Sequence, residues 1–508
     1  MDSSWTTWSG PAWEFLLPAV AVPPRSRGRS LVGTLREAIR AGWLAPGTRL
    51  PSSRDLAADL RVSRGLVTEV YAQLIAESYL VSRPGAGTWV AELSARPAGP
   101  APAAHPDPNP DPNPDSHPSP ADPRFQRAAP DQVTDFRPGV PALSLFPRVA
   151  WTASYQRAVA ELPAEGLGYP DPRGLPELRV VLAELLARRR GVAVRAEGVL
   201  VCSGVAQAIT LLAQVAAAHG HRSAAVEDPG SPGETSLLEN AGLAVRAVPL
   251  DAAGVDLRAL AESDAGLFVA TPAHQFPTGI AYTPERRAAL LAWARARSGL
   301  ILEDDYDGEF RYDRSPVGAL QGLAPDLVAY TGSVSKSLAP GLRLGWLVPP
   351  AGLLDELVEA KRMTDLGCPV PDQAALADFI RTGRYDRQLR RCQRAYRDRR
   401  DTLRTVLEHE LPDVRILGIA AGLHVIAEFP ARYGAAPDLV ERARSAGVEL
   451  YPVGSYQIGP GPLEASGTTP ARIVLGYANL TPRQIAVGIR ALADTVGTQR
   501  VHRVPTIG

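Results

Sequence analysis

Lysine is almost missing from this 508-residue chain: of its 54 basic residues only Lys336 and Lys361 are lysine, and the other 52 are arginine. Arginine serves wherever positive charge suffices, but its guanidinium stays protonated at any working pH and cannot act as a nucleophilic amine. Amine chemistry is thereby narrowed to two positions. Cysteine is also sparse. Cys202, Cys368 and Cys392 have no metal-ligand spacing, which argues against a metal site or a disulfide framework and fits a reducing compartment. An excess charge of either sign is absent, with 54 basic against 54 acidic residues, so any nucleic-acid contact must be regional. Long apolar runs are missing, as is a basic segment followed by an apolar one near the start. Neither membrane insertion nor export is indicated, and a cytoplasmic location is expected.

What the chain does have is a seam. Proline crowds residues 97–123, which include HPDPNPDPNPDSHPSPADP from 105 onward. Proline removes backbone donors and favours extended polyproline II, so this run is expected to be a semi-rigid spacer without a core. It divides the sequence into a head at 1–92, a linker at 93–134, a body at 135–496 and a tail at 497–508.

In the head, Leu31, Leu35 and Ile39 recur at helical spacing, and Gly42 with Ala45-Pro46-Gly47 ends that helix. Ser53 is placed to cap a second helix with Leu56 and Leu60 inside, and Ser63 a third carrying Leu66, Val67, Val70 and Leu74. Two short helices and a tight turn, followed by an extended pair at Tyr79 to Arg83 and Gly87 to Val90, describe a winged helix-turn-helix. Its third helix would enter a DNA major groove by its N-terminal end, where Ser63, Arg64 and Thr68 sit. Ten arginines against five acids between residues 25 and 90 supply the regional positive charge. A three-helix packing module would show the same apolar pattern. The strings PGTRLPSSRDLA (46–57), VSRGLVTEVYAQL (62–74) and SRPGAGTWV (82–90) change that balance, because they closely resemble the DNA-binding signature of the GntR family of bacterial transcription regulators. The resemblance implies that Arg49, Ser52, Ser53, Arg54, Arg64 and Thr68 meet phosphates or base edges of double-stranded operator DNA. It also implies that Gly85 and Gly87 form a wing tip able to approach the minor groove closely.

From Asp135 onward short apolar strands alternate with helical patterns: VLVC (199–202), AAVED (224–228), LFVATP (267–272), a helix from Pro284, LILEDD (300–305) and LVAYTGS (327–333). The alternation predicts a mainly parallel sheet with helices on both faces and ligands at the carboxyl ends of strands. Ser203, Gly204, Val205, Ala206 and Gln207 lie between a strand and a helix, where backbone amides make an anion cradle suited to a phosphate. Asp304 and Tyr306 follow the strand GLILE. A carboxylate there can keep a pyridine nitrogen protonated, and a phenol can bond the ring's 3-oxygen. In TGSVSKSLAPGLRLGW (331–346), Ser333 and Ser335 flank Lys336, and Arg343 follows a Pro-Gly turn. Two hydroxyls and a guanidinium are donors for a phosphate, and the amine between them can reach an aldehyde on the same ligand. The constellation reads as a site for pyridoxal 5′-phosphate.

SVSKSLAPGLRLGW also resembles the lysine motif of fold-type I pyridoxal-phosphate enzymes, the aspartate aminotransferase superfamily, and such a body behind a GntR head resembles the MocR subfamily of regulators. FRPGVPALSLFPRVAW (136–151), GYPDPRGLPELR (168–179), VEDPGSPG (226–233), TPAHQFPTG (271–279), EDDYDGEFRYD (303–313), GRYDRQLRRCQRAYRDRRD (383–401) and ARIVLGYANL (471–480) carry the likeness through about residue 490. It implies a multidomain α/β chain, a winged helix-turn-helix joined to a fold-type I aminotransferase-like domain. In that frame Lys336 is the aldimine lysine, Asp304 meets the pyridine nitrogen, Tyr306 the 3-oxygen, and Ser333, Ser335, Arg343 and the Ser203-Gly204-Val205-Ala206-Gln207 turn the phosphate. Tyr169 corresponds to a tyrosine that reaches the partner subunit's cofactor, which implies a homodimer, and Arg472 to an arginine that holds a ligand α-carboxylate.

Two departures stand out. The family's ring-stacking aromatic after Asp-Pro-Gly is replaced by Ser231, and Phe276 precedes Pro277 where its enzymes carry asparagine, with His274 and Gln275 as nearby substitutes. Both weigh against efficient transamination more than against cofactor binding. The arginines from Arg387 to Arg400 fit a second DNA-facing patch or a solvated helix face, and the second reading is preferred. Three functions compete: a regulator that senses pyridoxal phosphate, or an amine or amino acid that condenses with it; a working aminotransferase with a vestigial head; and a GntR repressor whose body only dimerises. The intact reading helix and wing favour the first, and the third has no need of an amine at 336.

Overall fold

In the computed structural model, residues 13, 16–23, 26–40, 43–76, 79–83, 87–91, 133–312, 318–418, 421–459 and 470–497 are described. The chain divides into two units, 1–116 and 117–508. All of the proline-rich run at 97–123, and the tail from 498 onward, lie outside the described residues.

The head is built from α1 (Arg27–Arg40), α2 (Ser53–Asp59), α3 (Arg64–Ala76) and a hairpin of β1 (Leu80–Arg83) and β2 (Gly87–Val90). Leu31, Leu35 and Ile39 line one face of α1 and are buried with Leu56, Leu60, Val67, Val70, Leu74, Leu80 and Val90 in a single core. Leu66, by contrast, is half-buried. The cap of α2 is Ser52 rather than Ser53. Ser52 has extended backbone, its Oγ accepts the Asp55 N–H at 3.2 Å, and its hydroxyl donates to the Asp55 carboxylate at 2.7 Å. This reciprocal pair occupies the cap position, so Ser53 becomes the first helical residue. Ser63 caps α3 through the Leu66 N–H at 3.2 Å. The hairpin is antiparallel, with Leu80 opposite Val90 and Arg83 opposite Gly87.

The body is organised by a large sheet of β3 (Leu200–Cys202), β4 (Ser223–Asp228), β5 (Ala244–Asp251), β6 (Gly254–Val255), β7 (Leu267–Ala270), β8 (Leu300–Asp304), β9 (Val328–Ser333) and β10 (Gly345–Val348). Their order is β3-β10-β9-β8-β7-β4-β5-β6. From β9 to β5 neighbours are parallel, while β10 runs antiparallel to both β3 and β9. Alternate residues of one strand enter opposite cores: Leu267 and Val269 pack with α4 (Val205–Ala218), whereas Phe268 and Ala270 pack with Leu290 and Trp293. Burial on both faces explains why these strands read as unbroken apolar runs.

β5 and β10 were not anticipated from the sequence. β5 alternates exposed and half-buried residues along most of its length, and β10 hides inside the lysine motif. Two more elements matter below: α5 (Leu354–Asp365) and the 27-residue α6 (Arg384–Glu410). α6 buries Leu389, Cys392 and Tyr396 and exposes Arg387, Arg390, Arg391, Arg394 and Arg397 as a solvated face, but the expected run to Arg400 breaks at its end: Arg399 is buried and donates to the Ala478 carbonyl, and Arg400 is half-buried. A small antiparallel sheet follows, in the order β11 (Arg415–Leu417), β12 (His424–Phe429), β14 (Ala471–Gly476), β13 (Tyr451–Pro452). Among the described residues no helix is long and apolar enough to cross a membrane, and no cluster of His, Cys, Asp or Glu could hold a metal ion.

At the end of β8 the acids of EDD separate by strand alternation. Asp305 is spent on a buried ion pair with Arg190, at 2.5 and 2.9 Å, and accepts the Tyr330 hydroxyl at 2.6 Å. Asp305→Ala is expected to destabilise the body by about 3–5 kcal/mol, because it strands a buried guanidinium. Denaturant unfolding measures the loss.

Candidate functional site

The carboxyl edge of the large sheet gathers residues that lie far apart in the chain. β3 ends at Cys202 and α4 begins at Val205 with no side chain capping it. Its N-cap, Gly204, has φ +86°, and a Cβ there would meet the Arg343 guanidinium at 2.7 Å. Because β10 is antiparallel to its neighbours, its first residue, Gly345, is registered with Cys202 on one side and Ser333 on the other, which brings Arg343 to the same edge. The Arg343 guanidinium donates to the Ser203 carbonyl. Helix N–H groups, a glycine floor and a guanidinium rim make a seat for an anion. Ser333 lies beside it, its hydroxyl accepting the Ser335 N–H at 3.3 Å. The Gln207 carboxamide turns back into the turn: Oε1 accepts the Ser203 N–H at 2.8 Å and Nε2 donates to Asp365 at 2.7 Å.

Lys336 follows β9 in a half-buried turn, and its Nζ donates to the Gly139 carbonyl at 2.5 Å. Lys361 is of a different kind. Its side chain is fully buried, and although burial is the largest single influence and opposes its charge, the hydrogen bond to Asp365 together with the nearby Cys368, Cys202 and Asp365 charges holds the ammonium above the usual lysine range. A locked ammonium is no nucleophile. Of the two lysines, Lys336 is the one that can present an amine.

Glu303 accepts the backbone N–H groups of Leu320 and Gln321, and burial raises its pKa to about 7. With Glu303 and Asp305 pointing to one side of the strand end, the buried Asp304 points to the other. Burial, Asp307 and Asp304 together hold the Tyr306 phenol protonated. The Tyr306 hydroxyl lies 3.1 Å from His274 Nδ1, which lies 2.7 Å from Asp307 Oδ2. His274 therefore stands beside the phenol, and Gln275 does not: its Nε2 donates to Glu227 and the Pro229 carbonyl, and its Oε1 accepts from Thr278. Phe276 contributes an apolar wall, edge-on to Tyr306 at 6.1 Å and packed against His424 at 5.4 Å. Ser231 is the N-cap residue of the helix Pro232–Asn240.

Arg472 on β14 sits opposite Glu428 on β12 and donates to it through Nε at 3.0 Å, while Arg415 takes the other carboxylate oxygen. Arg472 shares its sheet face with Val474, as Glu428 does with Ile426, and these two apolar residues pack with Phe276. Tyr169 is 91% exposed.

In the head, Arg54, Ser63, Arg64 and Thr68 are exposed on the α2–α3 surface. The Ser52 hydroxyl is taken by its capping role, and Thr68 donates to the Arg64 carbonyl at 2.9 Å. Arg49 lies over the Trp89 ring at 5.7 Å, against Gly87, where φ is +123° and a Cβ would meet the arginine at 3.2 Å. Gly85 lies outside the described residues.

Known proteins match both halves. Residues 136–492 fit the family of class I and II aminotransferases, and residues 28–90 fit the gntR family of bacterial regulatory proteins. The HTH-type transcriptional regulator YdeL of Bacillus subtilis is 33% identical across 90% of this chain and 94% of its own length. The probable rhizopine catabolism regulatory protein MocR of Rhizobium meliloti is 33% identical across 91% of this chain and 92% of its own. The chain belongs to the MocR-type transcription regulators of the GntR family. The body of this MocR-type regulator is similar to the α-aminoadipate aminotransferase LysN of Thermus thermophilus, solved with N-(5′-phosphopyridoxyl)-L-leucine. That likeness has 28% identity and a TM-score of 0.62, covering 72% of this chain and 93% of the other.

Three residues of the MocR-type site escaped the sequence reading. Gly139 and Asp307 lie inside strings that carried the resemblance, FRPG and EDDYDGEF, but nothing local marks a backbone carbonyl as a lysine's partner. Glu428 had no signal, since its link to Arg472 spans 44 residues.

Proposed function

We propose that this MocR-type regulator holds pyridoxal 5′-phosphate at the carboxyl edge of the body sheet. Occupancy by the cofactor, or by an amine or amino acid that reacts with it, then changes how the head engages operator DNA. When bound, the cofactor supplies an aldehyde for a primary amine and a ring that draws electron density. The chain's own groups suit that ligand. The uncapped start of α4, Gly204 and Arg343, with Ser333 and Ser335 beside them, take the phosphate, and Lys336 offers the amine, oriented by the Gly139 carbonyl. Asp304 keeps a proton on the ring nitrogen, and Tyr306, braced by His274 and Asp307, meets the 3-oxygen. Arg472, with Glu428 on its Nε, keeps its terminal nitrogens for an effector carboxylate. The observation that carries the reading is one half-buried amine beside an anion seat, in a chain with only two lysines.

Tyr169 and Leu167, 91% and 67% exposed, suit a surface closed by a second copy, with Tyr169 reaching the partner's phosphate. The head contacts DNA through Arg49, Arg54, Arg64 and the backbone around Ser52, Ser53, Ser63 and Thr68, with the wing at Gly87 in the minor groove.

A ligand shifts a binding equilibrium only if it favours one arrangement over the other. Operator DNA with two half-sites should therefore be titrated with the full chain and with residues 1–96 alone. Pyridoxal phosphate is expected to alter the full chain's affinity and to leave the isolated head's weaker binding unchanged. Identical full-length affinity with and without cofactor, and with every amine tried, would reject the sensor reading in favour of a working aminotransferase.

A further inference from the structure

The surroundings of Lys361 explain why arginine does not stand there. Its Nζ meets Gln207 Oε1 at 3.0 Å, Asp365 Oδ2 at 2.8 Å and Cys368 Sγ at 3.4 Å. Three acceptor groups, Asp365 through both oxygens, converge on one point, which suits the compact, rotatable donors of an ammonium and not the wide planar fork of a guanidinium. The position selects lysine for shape, as position 336 selects it for reactivity.

The acceptor that matters is Gln207. Its Oε1 is shared between Lys361 and the Ser203 N–H, and its Nε2 is held by Asp365. Lys361 can only donate and ionised Asp365 can only accept, so the two fix which end of the carboxamide faces which way. Removing Lys361 takes away one of the two donors on Gln207 Oε1 and the cation that pins Asp365, which loosens the side chain that holds the Ser203 amide. On its far side the Ser203 hydroxyl lies 3.6 Å from Cys368 Sγ. The turn from Ser203 to Gly204, with its left-handed glycine, is thus held in shape by contacts outside itself. Asp365 balances the lysine's charge, which leaves Lys361 a geometric role.

We propose that Lys361 is a positioning residue for the phosphate end of the cofactor seat: through Gln207 it holds the Ser203–Gly204 turn in the form that opens the α4 N–H groups to an anion. The inference rests on the pyridoxal-phosphate reading above. It predicts an effect confined to the phosphate, and pyridoxal, which has the aldehyde and ring without the phosphate, separates that effect from a general loss of structure.

The test titrates cofactor-free full-length protein with pyridoxal phosphate and with pyridoxal, following the visible absorption produced by attachment to Lys336. Lys361→Met and Gln207→Leu are each expected to weaken pyridoxal phosphate binding by about tenfold or more, the worth of one hydrogen bond to a charged group. Pyridoxal affinity should be unchanged. If both ligands lose equally, Lys361 merely supports the fold and the proposal is wrong; no loss for either ligand also overturns it. Lys361→Met leaves Asp365 without its cation, and should that variant not fold, Lys361→Arg, which keeps a cation beside Asp365 but not the ammonium's convergent donors, decides in its place by the same comparison of the two ligands. Wild-type protein that gives no visible absorption with either ligand would reject the cofactor reading itself, whereas normal wild-type absorption with no phosphate-specific loss rejects only the role of Lys361.

Discussion

Full-length protein carrying Lys336→Arg is expected to stay colourless with pyridoxal phosphate, whereas the wild type turns yellow and keeps the cofactor after borohydride reduction. Arginine preserves the charge at 336 and the length to reach the Gly139 carbonyl, so the anion seat at Gly204 and Arg343 is undisturbed. What is lost is the deprotonatable amine, and the loss is complete because a guanidinium does not become a nucleophile at any usable pH. Only one other side chain carries a primary amine. Lys361 is the sole other lysine, and it is fully buried and ion-paired with Asp365 at 2.8 Å. Mass spectrometry of the reduced protein locates the attachment. Cofactor found covalently on the Lys336→Arg chain at another residue would sink the assignment.

Arg64→Ala is expected to weaken operator binding by about 1–3 kcal/mol while leaving the visible absorption of the cofactor unaltered. Arg64 is the first residue of α3, directly after the cap residue Ser63, and is exposed at the end of the helix that faces the groove in this motif. Arg64 belongs to the head, which has a core of its own, and the groups read as the cofactor seat all belong to the body, so the substitution removes no cofactor contact. The salt dependence then reveals the contact. A slope in log affinity against log salt that flattens by about one marks a lost phosphate contact, and an unchanged slope with relaxed sequence preference marks a lost base contact. Unaltered affinity at every salt concentration would remove α3 from the DNA interface.

The head was legible almost to the residue because its information is local. Leucines at helical spacing on α1 are the ones that are buried, and Ser63 caps the helix it was expected to cap. Besides the half-buried Leu66, the cap moved from Ser53 to Ser52, where two adjacent serines offer the same hydroxyl and the partner three residues on, Asp55, selects between them. The body was legible where strands are buried on both faces and read as apolar runs. It was less so at β5, whose exposed alternation belongs to a strand near the sheet margin, and at β10, whose four residues are too few to carry a period.

The sequence by itself determined the two-part architecture, the family resemblance and the short set of groups able to do the chemistry. Helix and strand periods, caps and motif strings are properties of neighbouring residues. Only the tertiary structure shows which partners each of these groups meets. Lys336 rather than Lys361 presents an amine because Gly139, 197 residues away, takes its Nζ while Asp365 locks the other. Asp305 is claimed by Arg190, from a distant helix, which supports giving the site role to Asp304. His274 rather than Gln275 braces Tyr306 because Glu227 claims Gln275. In each case the choice is set by a partner brought close through the crossing of strands and helices, and burial raises the cost of leaving either group unpaired, so one pairing wins.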